Sequence, residues 1–167
     1  MRVREFLAEV SAQLPDLLPP DLREFQSRSA FTLLQLYYWY PAVHYELWLQ
    51  RKTGRIEVGL HFEGEREHNL QWLAALAERM GEVQAATGRP VEIEEWTAVW
   101  TRLHYTVDYG ELDQGAAAAC AGELAGLITG LQPLLEEIRQ ENGFRESPVT
   151  RSPRRMGGRT RGSGFSR

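Results

Sequence analysis

The chain has 167 residues, 43% hydrophobic and 10% aromatic, which fits one domain with a real core. Its formal charge of −4 divides unevenly: from Arg145 onward seven Arg face one Glu, net +6, leaving 12 basic and 22 acidic side chains, net −10, in the remainder. That acidic body should repel nucleic acid, and the single Cys120 excludes both an internal disulfide framework and a cysteine-based zinc site.

Residues 2–14 place Val3, Phe6, Leu7, Val10 and Leu14 on one helical stripe, which Pro15, Pro19 and Pro20 are expected to end. Asp21 is placed to cap a short helical turn reaching Phe25. The segment "FTLLQLYYWYP" from Phe31 is aromatic and leucine-rich and reads as a strand, although a helix end fits it too. Next, Val43, Tyr45, Leu47 and Leu49 alternate with His44, Glu46, Trp48 and Gln50. After "RKTG", Ile56, Val58, Leu60 and Phe62 alternate with Arg55, Glu57, Gly59 and His61. Two period-two runs around a short glycine-containing turn predict a β-hairpin with one apolar and one polar face. Helical spacing returns over 65–87 and stops at Gly88 and Pro90. Strands are expected over 91–94 and 96–107. Asp113 should cap a last helix to about Gln140, kinked or split at Pro133, with Cys120 as a buried, inert thiol. The predicted fold is α+β in the order α-β-β-β-α-β-β-α. It has an antiparallel sheet of four to five strands and helices on one face. Residues 1–143 form a single domain. Residues 144–167, rich in Arg, Gly and Ser, are expected to form a disordered basic tail.

If Gln50 pairs with Arg55, partner numbers in the hairpin sum to 105, which sets His44 opposite His61 and Trp48 opposite Glu57. Glu46 is then a diagonal neighbour of Glu57 and His61. Two imidazoles and a carboxylate can hold a divalent ion, so His44, His61, Glu46 and Glu57 are candidate metal ligands or bases, with His104 able to join from the later strand. A solvated polar sheet face is the simpler account of the same residues. Phosphate-cradling loops, a nucleophile elbow, the His-Glu-x-x-His motif and an acidic-x-Lys nuclease motif are absent from the sequence. No cofactor is expected, and the chain reads as a non-enzyme. Trp48, Trp96, Trp100, Arg102 and His104 share the polar parity. Indoles on a nominally wet face mark it as a contact surface, for self-association as a homodimer or for another protein. In the tail, Arg154, Arg155, Arg159 and Arg161 could meet nucleic-acid phosphates.

The run "RIEVGLHFEGEREHN", a helix, "GRPVEIEEW" and then "TRLHYTV" resembles an uncharacterised bacterial α+β domain often attached to restriction-nuclease-like proteins. The likeness spans about 43–138 and implies an accessory domain of defence or nucleic-acid-processing systems. The leading expectation is therefore a non-catalytic binding or assembly domain. The alternatives are a metal-dependent phosphodiester hydrolase using the His/Glu cluster and a nucleic-acid adaptor working through the tail. No uninterrupted apolar run approaches the ~20 residues of a membrane span, and "MRVREFLAEVSAQL" lacks a signal-peptide core, so a cytoplasmic location without membrane contact is expected.

Overall fold

The structure is a computed structural model and describes residues 1–144. Helix α1 (Val3–Leu17) buries Phe6, Leu7, Val10 and Leu14, the stripe set by apolar residues three and four apart. It runs two residues past Pro15, where the sequence predicted an end. A proline in the last turn forfeits its own N–H, but the Leu18 N–H still reaches the Leu14 carbonyl at 3.0 Å. The turn expected from Asp21 to Phe25 is a shorter 3-10 turn, Pro20–Leu22, with Pro19 rather than Asp21 at its cap.

Among the described residues, six strands form one antiparallel sheet: β1 (Gln26–Ala30), β2 (Leu33–Tyr37), β3 (Val43–Gln50), β4 (Arg55–Phe62), β5 (Glu92–Glu95) and β6 (Thr101–Asp108). Their spatial order is β1-β2-β3-β4-β6-β5. The α+β class holds, with six strands in place of four to five. The additional strand is β1, "QSRSA", all five residues of which are exposed. It is held by backbone pairing to β2 and has no apolar alternation to announce it. The expected register of β3 and β4 is realised at all eight pairs, from Val43↔Phe62 through His44↔His61 to Gln50↔Arg55. Gly54 closes the turn at φ +67°, a conformation costly for a residue with a Cβ, and its N–H reaches the Gln50 carbonyl at 3.1 Å.

The apolar parity of β3 and β4 is wholly buried and continues through Leu34 and Leu36 on β2 and Leu103 on β6. Helices α1 and α4 (Gln114–Asn142) cross on this face. The α4 residues Leu124, Leu127, Ile128, Leu131, Leu135 and Ile138 are all buried. Asp113 caps α4 by accepting from the Ala116 N–H at 2.8 Å, as predicted, and the helix is continuous through Pro133 rather than split. By length and composition α4 is the one described helix apolar enough to cross a membrane, but 56% of its most apolar stretch is inside the fold, as in a core helix. Cys120 is buried on it, and burial pushes its thiol up to about 11, away from nucleophilic use.

The helix expected over 65–87 is two helices, α2 (Arg66–Glu78) and α3 (Met80–Thr87). They part at Arg79, which leaves helical geometry and carries its guanidinium to Glu82, Glu137 and Glu141. Gly130 lets α3 approach α4: a Cβ there would overlap the Ala86 carbonyl. Trp72 of α2 stacks on Phe62 and Trp39 and also meets Phe144, and residues 145–167 of the expected tail lie outside the described residues.

Candidate functional site

The polar parity carries the chemistry. Two rungs cross the sheet: Arg28, Gln35, Glu46, Gly59, His104 and Glu92 on one, and His44, His61, Arg102 and Glu94 on the next. Solvation was the simpler expectation for this face. Instead His44, Glu46, Glu57 and His61 are each no more than 1% exposed. Charged groups tolerate such burial only when paired, and here the pairing is dense.

His61 stacks against His44 at 5.5 Å and meets the edge of Trp96 at 5.5 Å. Its Nε2 lies 3.0 Å from Glu57 Oε1, and its Nδ1 lies 3.4 Å from Glu63 Oε1. Burial alone would lower this imidazole's pKa. The flanking carboxylates of Glu57 and Glu63, with Glu46 nearby, outweigh it and raise it to about 9. Glu57 is held from its other side by Arg102 Nη1 at 2.7 Å. Arg102 also donates to Glu94 Oε1 at 2.9 and 2.6 Å and lies over the Trp96 ring at 4.9 Å.

Arg28 Nε–H can only donate, and it meets Gln35 Oε1 at 2.5 Å. That contact orients the Gln35 amide. Its NH₂ group faces His44 Nε2 at 3.0 Å and Glu46 Oε2 at 2.6 Å. His44 Nε2 therefore accepts, and its proton sits on Nδ1, 2.8 Å from the Pro41 carbonyl. Burial would raise the Glu46 carboxyl; the charge on His61 and the Gln35 amide, which donates to its Oε2, oppose this, and the group is held below the usual carboxylate range, at about 2.

Four donors converge: His44, Glu46, His61 and Glu63 each place one ligand-type atom within 4.8 Å of the others. Three of the four expected ligands belong to this group. Glu57, the fourth, is turned to His61 and Arg102, and Glu63 takes its place. Glu63 lies just past the end of β4, where alternation no longer indicates direction. Its N–H bonds the Ala42 carbonyl at 2.7 Å, which turns the chain end toward His44. His104 does not join this group. It forms a second cluster with Glu92 and Glu94 on the sheet margin, its Nε2 2.9 Å from Glu94 Oε1 and its Nδ1 buried without a hydrogen-bond partner.

Of the expected contact residues, Trp100 is buried and Arg102 and His104 are engaged as described. Trp96 is half-buried against His61, Arg102 and Trp100. Trp48 is half-buried opposite Leu33, and one rung joins Ala30, Leu33, Trp48 and Glu57. At this corner lies a residue that sequence reading missed. Phe31, in the β1–β2 turn, is 95% exposed and sits at φ +54°. Arg154, Arg155, Arg159 and Arg161 lie outside the described residues.

Asn69, in the first turn of α2, reaches back to the turn before the helix. Its side chain accepts from the Gly64 N–H and donates to the Gly64 and Val99 carbonyls, tying the β4–α2 turn to the β5–β6 loop.

Fold and site together define an α+β domain. Its apolar sheet face is the core, and its polar face is a buried network of imidazoles, carboxylates and guanidinium groups. Compared with protein-family models, curated proteins and solved structures, the chain matches none.

Proposed function

We propose that the chain is a non-catalytic binding and assembly domain, cytoplasmic, whose partner is a second copy of itself. The observation that carries this reading is Phe31. A bulky residue in the left-handed region costs about 1–2 kcal/mol, and a fully exposed phenyl offers the monomer nothing in return. Half-buried Leu33 and Trp48 continue the apolar corner beside it, and among the described residues no strand pairs with the outer edge of β1. An exposed strand edge with an aromatic anchor is a common basis for chain-to-chain pairing.

The buried polar network fits the same reading. A hydrolase would need a base free to take a proton, whereas Glu57 is fixed between His61 and Arg102. The contact surface thus keeps Trp48 and shifts from Trp96, Trp100, Arg102 and His104 to the corner formed with Phe31. A role as an accessory part of defence or nucleic-acid-processing systems rests on the resemblance alone.

The test is light scattering after size exclusion on the full chain, Phe31→Asp and Trp48→Glu. A dimeric wild type and monomeric, folded variants are expected. A monomeric wild type removes self-association.

A further inference from the structure

The convergence of His44, Glu46, His61 and Glu63 assigns a function beyond assembly. We propose that these four side chains bind one divalent transition-metal ion of the zinc type in a closed, structural site.

The first argument is spacing. Zinc bonds to nitrogen and oxygen of about 2.0–2.2 Å put neighbouring donors of a tetrahedral shell roughly 3.3 Å apart. Here His44 Nε2 lies 3.5 Å from Glu46 Oε2 and 3.9 Å from Glu63 Oε1, and His61 Nδ1 lies 3.4 Å from Glu63 Oε1. Contraction of up to about 0.6 Å brings these contacts to coordination distance, and the other pairs of the set, all within 4.8 Å, close by up to about 1.5 Å as the side chains turn onto the ion.

The second argument is the outward side of each ring. A metal-bound imidazole needs its other nitrogen held by an acceptor, which fixes both tautomer and orientation. His44 Nδ1 has the Pro41 carbonyl at 2.8 Å, and His61 Nε2 has Glu57 at 3.0 Å, with Glu57 anchored by Arg102. Both inner nitrogens are left facing Glu63. Gly59 contributes by omission: no side chain stands between Glu57 and His61, so the carboxylate reaches the ring across it.

The third argument is the present occupant. The two hydrogens of the Gln35 amide serve His44 Nε2 and Glu46 Oε2 together. A neutral amide thus fills the electropositive role between an imidazole lone pair and a carboxylate, a role that a cation would fill more strongly. Two imidazoles and two carboxylates suit zinc, manganese or ferrous iron better than calcium or magnesium. Four protein donors leave no position for substrate, so the ion joins β3, β4 and the turn after β4 without catalysing a reaction.

The experiment uses the full chain without a histidine tag, treated with chelator and titrated calorimetrically with Zn²⁺. Wild type is expected to take one equivalent and to melt about 5 °C or more higher when loaded. His44→Asn and Glu63→Gln should each weaken binding about 100-fold, while His104→Asn, in the neighbouring cluster, should leave it intact. The Glu63 side chain is 13% exposed where that of His44 is fully buried, so its variant is the milder of the two, and circular dichroism checks that both fold. Cobalt in place of zinc should give the intense visible bands of a tetrahedral site. Failure of the wild type to bind overturns the proposal. So does binding that survives both ligand variants, binding lost in His104→Asn alone, or a pale octahedral cobalt spectrum.

Discussion

His61 reaches back over Gly59 to place its Nε2 3.0 Å from the Glu57 carboxylate, and Arg102 holds that carboxylate from the adjacent strand at 2.7 Å. A single buried anion therefore neutralises two cationic groups from two strands. Its surroundings set most of the consequences that experiment can reach.

Removing that anion should be costly. Glu57→Ala leaves buried His61 and half-buried Arg102 each with a partner lost, and breaking a buried pair from one side costs about 3–5 kcal/mol. Urea unfolding should show this loss, with Glu57→Gln intermediate because an amide oxygen still accepts. An unchanged midpoint for Glu57→Ala would refute the pairing.

Gly59 should not tolerate a methyl group. A Cβ there would lie 2.8 Å from the Leu103 carbonyl and 3.0 Å from His104 Cβ, so β4 and β6 must separate. Gly59→Ala is expected to cost about 1–3 kcal/mol, the range for overpacking, and to lower the melting temperature by several degrees. A melting curve identical to wild type contradicts this.

Stability of the metal-free domain should depend on pH from both sides. The His61 pKa is raised from 6.5 to about 9 in the fold, so its contribution is complete below 6.5 and is lost as pH rises through about 9. The Glu46 pKa is lowered from 4.5 to about 2, so its contribution is complete above 4.5 and is lost as pH falls through about 2. Urea midpoints should therefore be highest near pH 5–6.5, decline toward alkaline pH and decline again in strong acid. His61→Gln should flatten the alkaline slope. A wild-type midpoint constant from about pH 6 to 9.5 would show that His61 does not hold its proton as described.

Phe31 should separate stability from assembly. Asn tolerates the left-handed region, so Phe31→Asn is expected to stabilise the monomer by up to about 1 kcal/mol while weakening self-association. Thermal melting at concentrations low enough to keep both proteins monomeric reads the first effect, and light scattering at higher concentration reads the second. A destabilised variant would mean that the phenyl packs within its own chain.

Side-chain alternation was enough to read β3 and β4. Eight residues on each side of a glycine turn alternate without a break, and a slip of one would move every aliphatic group to the polar side, so register and parity could be written down from letters alone. The α1 stripe, the Asp113 cap and the burial of Cys120 were legible for the same reason: each depends on residues within a few positions of one another. Strand β1 escaped because an edge strand held by backbone bonds needs no apolar pattern. The break at Arg79 was also hidden, since the carboxylates that draw its guanidinium include two from α4, 58 and 62 residues further on.

Periodicity assigned His44, Glu46, Glu57 and His61 to one side of the sheet, but it carries no information about what closes over that side. Trp96 and Arg102, from a distant loop and strand, meet His61 and Glu57, while Gln35 of β2 meets His44 and Glu46. The choice between Glu57 and Glu63 as neighbour of the inner imidazole nitrogens is likewise tertiary. One lies within the strand and is claimed by Arg102; the other lies just beyond its end, where a backbone bond to Ala42 turns it inward. Local spacing sets which face a side chain takes, whereas its charge partners come from wherever the fold brings a compensating group within hydrogen-bond reach.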